Sequence, residues 1–288
     1  MNSVNHQKYD HVFKIVFSNR EELLSLYNAL AETAHTDPEE ITVNTLEDAV
    51  FIGIKNDLSF IIDSRLNLFE HQSTINPNIP LRGLYYLSDI YKTMYSGTML
   101  HSTKAIRLLS PRFIVFYNGK EEMPDTFECK LSDMFINKEE HPDLDVTAHV
   151  ININPGHNEE LLDKCGKLRE FSVFSAKMRE ALDEARGLSK EDLEKIVLKV
   201  IDSCIEENIL ADILRKERVR VMDSVLAEFD IDDFAKMTYE DGYDFGYNSA
   251  ILSLYSKGKV SKEDVAEYTG ISESELNSLL NQYNAINP

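Results

Sequence analysis

The amino-acid sequence predicts an α/β protein with a mixed sheet in its first half and a helical second half. Strand-like and helical segments alternate up to about residue 155. The segment Asn56–Ser73 has the pattern of two short strands joined by a tight reversal, and Arg112–Tyr117 (RFIVFY) is apolar enough for a strand covered on both faces. No strand pattern occurs between Glu159 and Phe229.

Composition indicates a folded and strongly acidic protein. Hydrophobic residues make up 43% of the 288 residues, which is enough for a core, and the net charge is −20. This charge repels nucleic-acid phosphate and anionic membranes, so any nucleic-acid contact needs a local basic patch or a metal ion. The three cysteines match no zinc spacing, and the N-terminal residues lack the apolar run of a signal peptide. We therefore expect free thiols, a cytoplasmic location and no membrane partner.

The segments before the hairpin are predicted to form a helix and a strand. Apolar residues at spacings of three and four predict a helix over Tyr9–Glu32. Within it, Ser18-Asn19-Arg20 can interrupt the helix or restart it with a cap. Alternation over Ile41–Leu46 predicts a strand.

The hairpin Asn56–Ser73 contains the main candidate functional residues. It lacks the Asn-Gly or Asp-Gly pair typical of a two-residue turn. With Ser64 and Arg65 as turn residues, Asp57 lies opposite Gln72, and directly paired side chains share a face.

A polar cluster at the open end of this hairpin follows from that register. It contains Asp57, Ser59, Glu70 and Gln72, at the rim of an apolar layer, and a slip of one residue would separate its members. Carboxylate and amide oxygens are the ligands that hard divalent cations prefer. The competing interpretation is that these are solvated residues at strand ends.

The segments after the hairpin are predicted to be a helix and two strands separated by a loop. The helix begins after Pro80 and runs to about Tyr95, followed by the strand Arg112–Tyr117. We expect Lys120–Asp143 to be mostly loop and Val146–Ile153 to be the second strand.

The C-terminal half is predicted to be helical and to end in a separate small unit. Ser189 has the sequence context of a helix N-cap. Ser261–Gln282 predicts a helix, turn and helix, but the second helix has no basic residue and suits a packing or partner-binding unit better than a DNA reader. The predicted regions are a core at 1–157, a helical extension at 158–229, and an acidic hinge with the small unit at 230–288.

Several motifs together resemble the Rpn family of recombination-promoting nucleases, also described as YhgA-like transposases, within the PD-(D/E)XK nuclease superfamily. The resemblance spans roughly residues 9–155. The motifs are DHVFKIVF at Asp10–Phe17, Asp57, EHQS at Glu70–Ser73, Arg82 with Tyr85-Tyr86, and PRFIVFYNG at Pro111–Gly119.

The resemblance implies a restriction-endonuclease-like αβββαβ core and cleavage of DNA phosphodiesters with Mg²⁺, or Mn²⁺ as the alternative. It assigns Asp57 to the first acidic position and Glu70-His71-Gln72 to the (D/E)XK triplet. As a hypothesis, Asp57 and Glu70 hold the metal and Gln72 orients the water. Gln72 stands where the general motif has lysine, so it lacks the charge that lysine offers to the water or the phosphate.

A basic-leaning stretch follows the hairpin and is the candidate DNA track. Pro80–Gly119 carries a net charge of +4 within a chain of −20. Arg82 opens the helix beyond the site, and Lys104 and Arg107 follow in the same stretch. A solvated helix face and loop is the equally weighted alternative.

Three other polar residues near the motifs have simpler interpretations. His71 is expected to face away from Glu70 as a packed histidine, and Asp63 to be a turn residue. Asp10 could add an acidic group, although a helix N-cap is favoured.

The sequence therefore predicts a metal-dependent endonuclease acting on double-stranded DNA in recombination or transposition. A catalytically weak scaffold that binds DNA or protein is the second hypothesis. An interaction protein that binds a partner through its acidic helical tail is the third. Whether two chains pair as a homodimer to cut both strands stays open at this stage.

Overall fold

The computed structural model describes residues 12–43, 57–95, 97–185 and 188–229, and four single residues beyond them. The chain divides into two compact units, Met1–Leu226 and Ala227–Pro288. Asp10, half of the predicted strand Ile41–Leu46, and nearly all of the acidic hinge and small C-terminal unit lie outside the described residues. No helix in the described part of the chain is long and apolar enough to cross a membrane.

A six-stranded mixed sheet flanked by helices forms the first unit and confirms the predicted α/β class. The strand order is β1-β2-β3-β4-β6-β5, with β3, β4 and β6 parallel and the other neighbours antiparallel. The strands are β1 (Thr42–Val43), β2 (Leu58–Ile62), β3 (Arg65–Gln72), β4 (Ser110–Tyr117), β5 (Thr126–Lys130) and β6 (Thr147–Asn152).

Two of the longer helices begin at side-chain caps. Asn19 and Ser189 accept backbone N–H groups of Glu21 and Asp192, so the first predicted helix restarts at a cap and the Ser189 cap is confirmed. The helices are α1 (Val12–Val16), α2 (Arg20–Ala31), α3 (Ile79–Met94), α4 (Gly97–Leu100), α5 (Glu159–Lys164), α6 (Gly166–Glu184), α7 (Lys190–Glu206) and α8 (Ala211–Lys216), and residues 218–229 are also helical.

Helices cover both faces of the sheet, which explains the near-continuous apolar run of β4. On one face, α3 packs Tyr86 and Ile90 against the strands in a cluster that includes Leu68 and Val115. On the other face, Phe13 of α1 lies with its ring centroid 5.2 Å from Phe116 and 5.4 Å from Phe171 of α6. The sheet is therefore the middle layer of three, and α6 belongs to the same compact unit as the strands.

The hairpin register differs from the predicted one by two residues. Asp63 and Ser64 form the turn with φ of 52° and 56°, and Ile62 pairs with Arg65. Ser64 is therefore a turn residue, as predicted, whereas Arg65 is not, because it is the first residue of β3. Because side chains alternate with a period of two, this shift leaves every side chain on its predicted face.

Tertiary contacts explain how this turn forms without glycine. Two successive positive φ values suit a two-residue hairpin, and aspartate tolerates the left-handed region better than most residues. The Asp63 carboxylate accepts a hydrogen bond from Tyr27 Oη at 3.0 Å and contacts His35 Nε2 at 2.9 Å. Asp63 is therefore a turn residue, as predicted, and it is held by α2 and the segment that follows it.

Most of Lys120–Asp143 is loop, as predicted, but the segment also contains strand β5. It pairs only with β6, so it is an edge strand among the described strands, and its residues alternate between exposed and half-buried. An edge strand with one weakly buried face carries little apolar pattern, which is why the sequence did not reveal it.

We predict that His35 titrates above its ordinary pKa of 6.5, because its hydrogen bonds to Asp63 and Glu40 raise its pKa. The stabilisation from protonated His35 is complete below 6.5 and is lost as the pH rises through the raised folded-state pKa. Asp63→Asn should lower the pKa of His35 in an NMR titration. The control Asp202→Asn removes a carboxylate that pairs with Arg218 and should leave it unchanged. A His35 pKa at or below 6.5 in the wild type would contradict this account.

Candidate functional site

Two buried carboxylates converge on the face of the sheet that α3 covers. Leu58 pairs with Phe69, so the β2–β3 ladder continued by one residue sets Asp57 opposite Glu70. Asp57 is 5% exposed and Glu70 is 3% exposed. Asp57 Oδ2 accepts the backbone N–H of His71 at 2.8 Å, which fixes its carboxylate beside β3. The predicted pair of acidic side chains is thus adjacent, although Asp57 lies opposite Glu70 rather than Gln72.

Arg82 forms an ion pair with Glu70 that the sequence argument did not anticipate. It lies in the first turn of α3, the helix that follows β3, and its Nη2 contacts Glu70 Oε1. Its Nε and Nη2 also donate hydrogen bonds to Tyr86 Oη at 3.2 and 3.0 Å, one helical turn further on. Arg82 therefore connects the buried carboxylate to the helix that covers it.

Burial and neighbouring charges shift the pKa values of Arg82 and Tyr86. Burial alone would lower the pKa of Arg82, but the charge of Glu70, the contacts with Tyr86 and the charge of Asp57 together raise it. Burial and the charge of Glu70 raise the pKa of Tyr86. At neutral pH, Arg82 is therefore a cation and Tyr86 a neutral phenol. With both carboxylates ionised, Asp57, Glu70 and Arg82 together carry one net negative charge.

Gln72 lies on the same face as Glu70, two residues further along β3. It is half-buried and pairs with Tyr117 at the carboxyl end of the parallel strands. Its backbone carbonyl accepts the N–H of Asn118 at 3.1 Å, and its side-chain Oε1 lies 3.5 Å from the N–H of Asn76. This position leaves the amide beside the carboxylates at the edge where parallel sheets bind ligands.

His71 lies on the opposite face of the sheet from Glu70, as expected. Its ring stacks on Phe13 at 5.9 Å and meets the edge of Phe171 at 5.0 Å. Its Nε2 lies 3.0 Å from Asn118 Oδ1. These contacts describe a packed histidine.

Lys104 and Arg107 lie in the exposed loop between α4 and β4. This loop enters β4 at Ser110, which pairs with Arg65, five residues before Glu70 on β3. At roughly 3.3 Å per residue, Ser110 is about 17 Å along the strands from the level of the carboxylates. The predicted contacts of Lys104 and Arg107 with DNA stay a prediction. They require the bound DNA to extend over the distance between the loop and the carboxylates.

The side chains at the hairpin have the right chemistry to bind a divalent cation. The carboxylates of Asp57 and Glu70 and the amide of Gln72 offer the oxygen ligands that Mg²⁺ prefers. Two features limit that fit. One oxygen of Glu70 is engaged by Arg82, so a cation must share or replace this contact. Within the described ranges, no group of three or more His, Cys, Asp or Glu side chains is arranged to hold a metal ion.

Comparisons with protein-family models, with curated proteins and with solved structures found no match to this chain. The function of this chain is therefore inferred from its own residues and from the motif resemblance described above.

Tyr86 and the Glu70–Arg82 pair are the parts of the site that sequence reasoning missed. The spacing of Arg82 and Tyr86 is the i, i+4 spacing that brings side chains together on a helix. This spacing, on the helix that follows the strand carrying Glu70, is the sequence feature that could have indicated the contact. It does not reveal that the arginine turns toward the sheet rather than toward solvent.

We predict that Arg82→Met lowers the free energy of unfolding by about 3 kcal/mol, because it leaves the Glu70 carboxylate buried without its cation. Urea denaturation measures this change. Lys92→Met is the matched control on the same helix, where the exposed pair with Asp89 should contribute less than about 0.5 kcal/mol.

The variant Glu70→Gln completes a double-mutant cycle with Arg82→Met. We expect the double variant to be more stable than the two single changes predict, with a coupling of at least about 1 kcal/mol. An Arg82→Met variant as stable as Lys92→Met would show that the pair contributes nothing to stability.

Proposed function

We propose that this protein is a metal-dependent DNA endonuclease of the PD-(D/E)XK type, related to the Rpn nucleases and acting in recombination or transposition. The observation that carries the proposal is the convergence of Asp57 and Glu70, both nearly inaccessible to solvent, on one face of two paired strands. Burying two neighbouring carboxylates is costly unless a positive charge compensates them. A binding role for a cation accounts for this arrangement better than solvated strand ends do.

The order of the elements supports the same assignment. In the described part of the chain, α2 is followed by β1, β2 and β3, then by α3, the short α4 and β4, which is compatible with the αβββαβ order that the motif resemblance implies. The carboxylates lie toward the carboxyl end of β3, in register with the parallel strand β4. Sheets with parallel strands bind ligands preferentially beyond that end.

The chain's own residues have distinct roles in the proposed reaction. Asp57 and Glu70 would hold Mg²⁺ or Mn²⁺, which when bound lowers the pKa of water and neutralises charge on the phosphate. Gln72 orients the attacking water by hydrogen bonding, but it brings no charge. Arg82 supplies positive charge from α3, which partly replaces the lysine of the general motif.

We predict that the wild-type protein nicks supercoiled plasmid DNA when Mg²⁺ or Mn²⁺ is present, and that Asp57→Asn reduces the rate by about 100-fold or more. The matched control is Asp89→Asn, which removes a carboxylate from the outer side of α3 and should cleave as the wild type does. Gel electrophoresis of the products measures both rates.

Three outcomes of that assay would contradict the proposal. They are cleavage that survives chelation, cleavage that survives Asp57→Asn, and no cleavage with either metal. Linear product formed directly from supercoiled DNA would indicate that two chains act together as a homodimer on both strands. Accumulation of nicked circles would indicate a chain that acts alone.

The Glu70–Arg82 pair favours a second candidate function, a catalytically weak scaffold that binds DNA or protein. In this alternative, Arg82 stays paired with Glu70 and compensates the buried negative charge without a metal ion. Calorimetric titration with Mg²⁺ separates the two functions. An endonuclease should give a binding isotherm that Asp57→Asn removes, whereas a scaffold should bind duplex DNA without binding the metal.

A further inference from the structure

A groove on the opposite face of the sheet contains two arginines close to each other. Arg65 opens β3 and Arg112 lies near the start of β4, and both project to the face that α2 and α5 cover. Arg65 pairs with Ser110, two residues before Arg112, so their Cα atoms are about 8 Å apart. The groove has a volume of about 790 Å³.

The carboxylates of this groove are already paired with other groups. Lys164 contacts both Glu32 and Glu160, at 3.2 and 2.8 Å. Asp63 accepts from Tyr27 and contacts His35. Each carboxylate that lines the groove therefore contacts another group, and Glu32 and Glu160 share Lys164.

The two arginines are not compensated in this way. In the described part of the chain, neither Arg65 nor Arg112 lies within ion-pair distance of a carboxylate. The Arg112 guanidinium donates a hydrogen bond to the Leu30 carbonyl, at 3.4 Å. Burial and the neighbouring charge of Arg65 lower the pKa of Arg112. Two adjacent cations without a direct ion-pair partner are unusual in a chain of net charge −20.

We propose that Arg65 and Arg112 form a binding site for a phosphomonoester group. A guanidinium matches the oxygens of phosphate in a bidentate geometry, and a phosphomonoester carries close to two negative charges at neutral pH. It therefore balances both arginines, whereas a carboxylate or a single backbone phosphodiester balances one. This site lies on the other face of the sheet from Asp57 and Glu70, and it does not depend on the nuclease proposal.

The test is calorimetric titration of the full chain with inorganic phosphate and with adenosine monophosphate, at constant ionic strength. We expect a dissociation constant below about 1 mM for the wild type. Arg65→Gln should weaken binding at least tenfold. Arg20→Gln is the matched control, because it removes an exposed arginine that pairs with Glu39 elsewhere on α2. Acetate should bind at least tenfold more weakly than inorganic phosphate.

A second measurement guards against a misfolded variant. Arg65 is exposed, so Arg65→Gln should melt no lower than the wild type without phosphate, since it removes a like-charge repulsion. Phosphate should raise the melting temperature of the wild type and of Arg20→Gln, but not that of Arg65→Gln. The proposal is overturned by absence of phosphate binding in the wild type, by equal binding in Arg65→Gln, or by acetate binding as tight as phosphate binding.

Discussion

The contact between Glu70 and Arg82 is the constraint on which the organisation of the site depends. A carboxylate that is 3% exposed requires a cation or several donors, and α3 brings the cation from its first turn. The same helix buries its apolar residues on the β3–β4 layer a few residues later. Helix α3 therefore both packs on the sheet and compensates the charge of Glu70. A substitution in the site consequently also affects the packing of the core.

The sequence predicted much of this arrangement because it depends on local periodicity. The hairpin, the buried strand β4 and the caps at Asn19 and Ser189 follow from patterns that span a few residues. The shared face of Asp57, Glu70 and Gln72 was also predicted correctly, although the turn was misplaced. Side chains alternate faces with a period of two, so the two-residue error in the register did not change the face on which these side chains lie.

Other features depend on contacts between distant segments, and the sequence does not show those. The turn at Asp63 and Ser64 is supported by Tyr27 and His35, which lie about thirty residues earlier. The juxtaposition of Arg65 and Arg112 follows from the parallel pairing of β3 with β4 across an intervening helix. Neither the partner strand nor the direction in which a long side chain turns can be obtained from composition or spacing alone.

The two-residue turn of the hairpin has a consequence for how this chain tolerates insertions and deletions. Adding or removing an even number of residues there changes the length of the hairpin but leaves Glu70 on the side of the sheet that holds Arg82. An odd number would rotate β3 by half a turn and direct the carboxylate toward the phenylalanines of α1 and α6. In this hairpin, the parity of a length change matters more than its size.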